Sequence, residues 1–223
     1  MRIGILGGTF NPIHNGHLKI AEEVLKRLGL DKILFMPAYI PPHKDKKGII
    51  DAHHRIEMVR LAIADNPGFE LSFIEIERGG VSYTIDTLRE LGHIYGKEAE
   101  LFFITGIDAF LEIEAWKDAE ALLASCNFIV IMRTSFQCRY LKKIALLKLP
   151  DDKLTAMDKG EIESLRLPLK GGNYLYLLNI TPVDISSISS RDIRSRILSH
   201  KIFKYLLPES VELYIIKNRL YGR

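Results

Sequence analysis

Apolar positions along this chain alternate between two rhythms. Residues 2–6, RIGIL, hold a short apolar run and predict a buried strand, followed by a loop over 7–15. Leu18, Ala21, Leu25 and Leu28 then recur at helical spacing with Val24 beside them, which predicts a helix over 16–28 stopped by Gly29. Residues 32–36, KILFM, read as a second strand closed by Pro37. The polar, proline-marked stretch AYIPPHKDKKGII reads as a loop. A helix is expected after Asp51, with Ile56, Val59, Ala62 and Ile63 inward.

The same alternation continues. A strand is predicted over 69–77, with a slip of apolar phase near Phe73 and Ile74, and a helix from Thr84 to Ile94. Strands are predicted over 100–105 and 127–132, with a helix over 117–125 between them. NFIVIM is the kind of run that is buried on both faces of a sheet. The pattern weakens over 134–170, where RYLKKIALLK reads as an amphipathic helix and LPDDKLTAMDKGE as a polar connector. Residues 174–180 read as a strand and Ser190 to Leu198 as a helix. Pro208 opens a last helix with Val211, Tyr214 and Ile215 inward. Strands alternating with helices predict βαβ units with right-handed crossovers. The expected fold is α/β: a Rossmann-like, doubly wound, mostly parallel sheet with helices on both faces and a small C-terminal helical part. The expected division is an α/β nucleotide-binding domain over 1–185 and a helical segment over 186–223 packed on it.

Composition narrows the function. With 223 residues, 47% hydrophobic and 26% charged, the chain can bury a sizeable core. A net charge of +3 is too small for a polycation that coats nucleic acid, and no apolar run approaches a membrane span. Met1 to Gly7 reads as a strand rather than a signal peptide, so a cytoplasmic setting is expected. Cys126 and Cys138 are too few for a disulfide framework, and Cys126 is expected as a small core residue.

Chemistry concentrates in GGTFNPIHNGH, residues 7–17, between the first strand and first helix. Gly7 and Gly8 admit close backbone approach and positive φ. Amides at a helix start favour phosphate, and His14 and His17 add directional N–H donors. Together these describe a polyphosphate cradle. It is neither the G-x-x-x-x-G-K-[ST] loop nor the G-x-G-x-x-G fingerprint. Two histidines three apart suit zinc, but no nearby carboxylate or cysteine completes a ligand set, so no metal site is expected.

Thr9-Phe10-Asn11-Pro12 followed by His14-x-Gly16-His17 resembles the signature of the H-x-G-H nucleotidyltransferase superfamily. That resemblance implies that Gly7, Gly8, Thr9 and Phe10 bind ATP, and that His14 and His17 meet the triphosphate and stabilise charge during displacement. Ile188-Ser189-Ser190-Arg191-Asp192-Ile193-Arg194 resembles the superfamily's second signature, I-S-S-T-x-I-R, departing from it at Arg191. Ser190 is expected to cap a helix, and Arg194 to fork onto the leaving phosphates.

Features between the signatures resemble one branch, the bacterial nicotinate-nucleotide adenylyltransferases: Pro41-Pro42-His43-Lys44, His54-Arg55-x-x-Met58, Ser82-Tyr83-Thr84-x-Asp86-Thr87, and Gly106-x-Asp108 followed by Trp116. The implied substrates are ATP, carrying Mg2+, and nicotinate mononucleotide, with no nucleic acid or membrane partner and a homo-oligomer left open. The implied acceptor contacts are His43 and Lys44 for phosphate, amides near Tyr83 and Thr84 for the carboxylate, Asp108 for a ribose hydroxyl and Trp116 for the pyridine ring. Arg133 is expected on a phosphate or on adenine. The rivals are an adenylyltransferase for another acceptor, a cytidylyltransferase, and a protein that senses nucleotides without turnover.

Overall fold

The computed structural model describes residues 1–42, 48–133, 136–180 and 188–222. His43 and Lys44 lie outside the described residues.

Strand β1 (Arg2–Gly8) leads into helix α1 (Asn15–Leu28), and β2 (Lys32–Pro37) into α2 (Ala52–Ile63). Then come β3 (Phe69–Leu71), α3 (Ile74–Arg78) and α4 (Thr84–Tyr95). β4 (Glu100–Gly106) runs into the short α5 (Ile107–Phe110), and α6 (Ala119–Ser125) precedes β5 (Asn127–Ile131). α7 (Asp151–Asp158), β6 (Ser164–Pro168), β7 (Tyr174–Leu178), α8 (Ser190–Leu198) and α9 (Glu209–Lys217) complete the order.

Among the described residues seven strands lie in the order β3-β2-β1-β4-β5-β7-β6. β2 pairs with β3, β4 with β5 and β5 with β7, all parallel; β6 pairs antiparallel with β7. This is the mostly parallel, Rossmann-like α/β sheet that the alternating pattern predicts. Every residue of β5 is buried, as a strand covered on both faces requires. Strand order changes direction at β1, so the turn after β1 stands where such sheets take ligands.

By its contacts the chain divides into two compact units. One comprises Met1–Ile5 with Tyr83–Thr181, the other Leu6–Ser82 with Pro182–Arg223. In the first, Phe102, Phe110, Phe128, Leu122 and Leu175 are fully buried. In the second, Ile13, Val24, Phe35, Met58, Ile193 and Ile215 form the core.

Four expectations are corrected. The strand expected over 69–77 ends at Leu71, and the phase slip at Phe73 and Ile74 marks the start of α3, whose first turn carries Glu75 and Glu77 at the favoured pole. LPDDKLTAMDKGE contains helix α7, held by Leu154 and Met157, both buried and three positions apart. RYLKKIALLK contributes only a 3-10 turn, Cys138–Lys143, that buries Cys138 and Leu141. In α2 the inward face is Arg55, Met58, Val59 and Ile63, and Ile56 and Ala62 are only half-buried.

Candidate active site

In the second unit, β1 ends at Gly8, where the neighbouring turn leaves little room for a side chain. A Cβ on Gly8 would stand 3.1 Å from the ring of Phe10. Phe10 is 2% exposed, and its ring tilts against Phe35 at 6.0 Å and meets His17 edge-on at 5.1 Å. The positive φ expected of the glycines is instead taken by Phe10, at 47°. The glycine there gives room rather than a left-handed backbone.

His14 occupies the N-cap of α1 in extended conformation. Its backbone N–H donates to Nδ1 of His17 at 3.2 Å, and the two imidazoles stack at 3.7 Å. No acidic residue occupies the first turn of α1, so the positive end of that helix keeps its pull on anions.

Helix α8 meets the same turn. Nη1 of Arg194 donates to the carbonyl of Asn11 at 2.7 Å, and Oγ of Ser190 donates to the carbonyl of Pro12 at 2.8 Å. The helix cap is Ser189, whose Oγ accepts from the Asp192 amide, so the capping role expected of Ser190 belongs to its neighbour. Arg191, at the position where the signature usually has threonine, is exposed.

Asn11, 4% exposed, is the junction of this region. Nδ2 donates to the carbonyl of Gly48 at 2.8 Å, and Oδ1 accepts from the hydroxyl of Tyr221 at 2.9 Å. Arg55, 1% exposed, donates to four main-chain carbonyls: Nη1 to Ala38 at 2.7 Å and Thr9 at 2.9 Å, Nε to Ile50 at 3.2 Å, Nη2 to Tyr39 at 3.3 Å. Burial pulls its pKa downward. Neutral carbonyls satisfy its donors without cancelling its charge, so a buried positive charge backs the end of β1.

The first unit gathers the remaining expected residues into two groups. Asp108 follows β4 and pairs with Arg133 at 3.4 Å, both about half exposed. Gly106 leaves room for this carboxylate: a Cβ there would lie 2.4 Å from Oδ1 of Asp108 and displace it. Tyr83 opens α4 without capping it by its side chain. Nζ of Lys117 lies 4.9 Å from the centre of the Tyr83 ring and 2.8 Å from Asp86. The neighbouring Trp116 is half-buried and set edge-on to Phe103 at 6.1 Å, so the indole is only partly spent on packing.

The cytidylyltransferase-like family model matches residues 5–196. A probable nicotinate-nucleotide adenylyltransferase of Thermoanaerobacter sp. (strain X514) is 44% identical over all of this chain and 95% of its own length. A protein of the same name from Geotalea daltonii is 46% identical, covering all of this chain and 99% of its own. This chain belongs to the nicotinate-nucleotide adenylyltransferase family. The fold agrees with that of Plasmodium falciparum nicotinic acid mononucleotide adenylyltransferase complexed with NaAD: the TM-score is 0.72 at 20% identity, over 99% of this chain and 97% of that one.

Among the residues expected from the sequence, Thr9, Phe10, His14, His17, Ser190 and Arg194 come together at the turn of the second unit. Tyr83, Thr84, Asp108, Trp116 and Arg133 fall in the first. Asn11, Arg55 and Tyr221 also hold this turn; the first two stand inside the quoted motifs, but the sequence assigns none of the three a role. Arg55 had a signal: it shares a helical face with Val59, where a charge is costly unless it is bonded. Tyr221 had none.

Proposed function

We propose that this nicotinate-nucleotide adenylyltransferase family member transfers the adenylyl group of ATP to nicotinate mononucleotide, giving deamido-NAD and pyrophosphate. The turn of the second unit carries this reading: two stacked imidazoles, the start of α1 and the Arg194 guanidinium converge on one stretch of backbone. Such a set suits a polyphosphate.

The substrate is ATP carrying Mg2+. The acceptor's phosphate oxygen attacks the α-phosphorus in line and pyrophosphate leaves opposite. A phosphate monoester is largely ionised at neutral pH, its second pKa being about 6, so no general base is needed. The protein aligns two polyanions and offsets their repulsion. His14 and His17 donate to the phosphates, and the guanidinium donors of Arg194 not spent on Asn11 meet the departing pyrophosphate. Buried Arg55 adds positive potential without contact. Amides at the start of α4 bind the nicotinate carboxylate, Trp116 stacks on the pyridine, and Asp108 takes a ribose hydroxyl. A site of pure donors disfavours the amide-bearing mononucleotide, since each mismatched buried polar group costs about 1–3 kcal/mol. The reaction belongs in the cytoplasm, where its nucleotide substrates are.

Pyrophosphate release measured with ATP, Mg2+ and, separately, nicotinate mononucleotide, nicotinamide mononucleotide and phosphopantetheine tests this. The acid mononucleotide should be used best. ATP binding without pyrophosphate release for any acceptor would instead favour a nucleotide sensor.

A further inference from the structure

We propose that Tyr221 is a positioning residue for adenylyl transfer, acting through Asn11 on Arg194. The inference rests on the function proposed above. Tyr221 lies beyond α9, outside both signatures and 210 residues from Asn11, yet its hydroxyl reaches Oδ1 of Asn11 at 2.9 Å.

The direction of each bond is set by its partners. Gly48 offers Asn11 a carbonyl, which can only accept, so Nδ2 must face it at 2.8 Å. The Ile50 amide can only donate, and it approaches Oδ1 at 3.5 Å. Both partners fix the same orientation of the Asn11 amide, and Oδ1 is left to accept from Tyr221. Without the hydroxyl, Oδ1 keeps only the long bond from Ile50. The peptide carbonyl of the same asparagine holds Nη1 of Arg194 at 2.7 Å. One residue thus links the tyrosine to the arginine expected on the leaving phosphates. Burial pushes the Tyr221 hydroxyl up, against the pull of Arg194 and Arg55, so it keeps its proton under any assay condition near neutrality. Tyr221 holds φ at +62°, so that the surrounding structure places this ring against local backbone preference.

Tyr221→Phe keeps the ring and removes the donor. Loss of one neutral hydrogen bond should lower kcat about three- to tenfold and weaken inhibition by pyrophosphate by a similar factor, while the under-satisfied Oδ1 lowers Tm by a few degrees without unfolding the protein at assay temperature. The decisive measurement is a cycle with Arg194→Lys. If Tyr221 acts through Arg194, the phenylalanine substitution costs less than about twofold in the lysine background. An undiminished loss there, or wild-type kcat and pyrophosphate inhibition in Tyr221→Phe alone, overturns the proposal. The unsubstituted protein, assayed alongside, tests the assigned reaction itself. Were it inactive, the same cycle read by pyrophosphate affinity would still decide whether Tyr221 and Arg194 are coupled.

Discussion

The backbone N–H of His14 donates to Nδ1 of His17 across 3.2 Å, and this commits the second imidazole. With Nδ1 accepting, a neutral ring carries its proton on Nε2 and presents that nitrogen as a donor. His17→Ala should therefore lower kcat by about 10²–10³, the usual loss for one preorganised donor. His17→Asn retains an acceptor for the His14 amide but no donor at the far position, so it should be comparably slow while keeping the turn. Steady-state kinetics with circular dichroism checks both. A folded asparagine variant with near-normal turnover would remove His17 from the chemistry.

Two glycines beside the expected ligand contacts make room for different neighbours, and alanine separates them. In Gly8→Ala the new Cβ meets the ring of Phe10 at 3.1 and 3.2 Å, and that ring is locked between Phe35 and His17. Overpacking should cost about 1–3 kcal/mol, lower Tm by about 2–4 °C for each, and raise KM for ATP. In Gly106→Ala the clash is with Oδ1 of Asp108, the end of a carboxylate that can swing away. Its pairing with Arg133 is exposed and contributes little to stability. Tm should hold while KM for the acceptor rises several-fold. An unchanged acceptor KM would take Asp108 out of the ribose site.

How far the sequence alone reveals this molecule depends on the range of the interactions. β4 and β5 were legible because the buried middle of a strand covered on both faces is a nearly continuous apolar run. β6 was not: it lies at the edge, its only buried residue is Leu167, and Arg166 stacks over Tyr174 at 4.2 Å. α7 escaped because two buried residues suffice to hold it. The turn at His14 and His17 was legible because its chemistry sits within a few consecutive residues. Asn11, Arg55 and Tyr221 work through partners far away in the chain, 46 residues for Arg55 with Thr9 and 210 for Tyr221 with Asn11. Spacing cannot report such contacts.

The two cysteines give a pH dependence with a definite sign. Burial pushes Cys126 up to about 12. It does the same to Cys138, with the negative charge of Asp158 adding to the effect. An unfolded thiol ionises near its ordinary value of 9.0, so between about pH 9 and 12 the unfolded chain sheds protons that the native one keeps. The stability these thiols confer is complete below about pH 9 and declines as pH rises through that window. Cys126→Ala should flatten the decline measured by urea unfolding at pH 8 to 11. A decline as steep as in the unsubstituted protein would place its source in other groups.

Neighbouring serines at the start of α8 should divide stability from turnover. Ser189 caps the helix through the Asp192 amide at 3.1 Å, so its hydroxyl serves its own helix. Ser189→Ala should cost about 1 kcal/mol, lower Tm by about 2–4 °C, and leave kcat/KM for ATP near normal. Ser190 reaches back to the carbonyl of Pro12 at 2.8 Å, beside the asparagine that holds Arg194. Removing that hydroxyl frees the turn rather than the helix, so Ser190→Ala should lower kcat/KM for ATP several-fold with a smaller change in Tm. Thermal melts and ATP saturation curves on both variants decide it. If the two effects were exchanged, the second signature would serve chiefly as a helix start, and its hold on the nucleotide turn would rest on Arg194 alone.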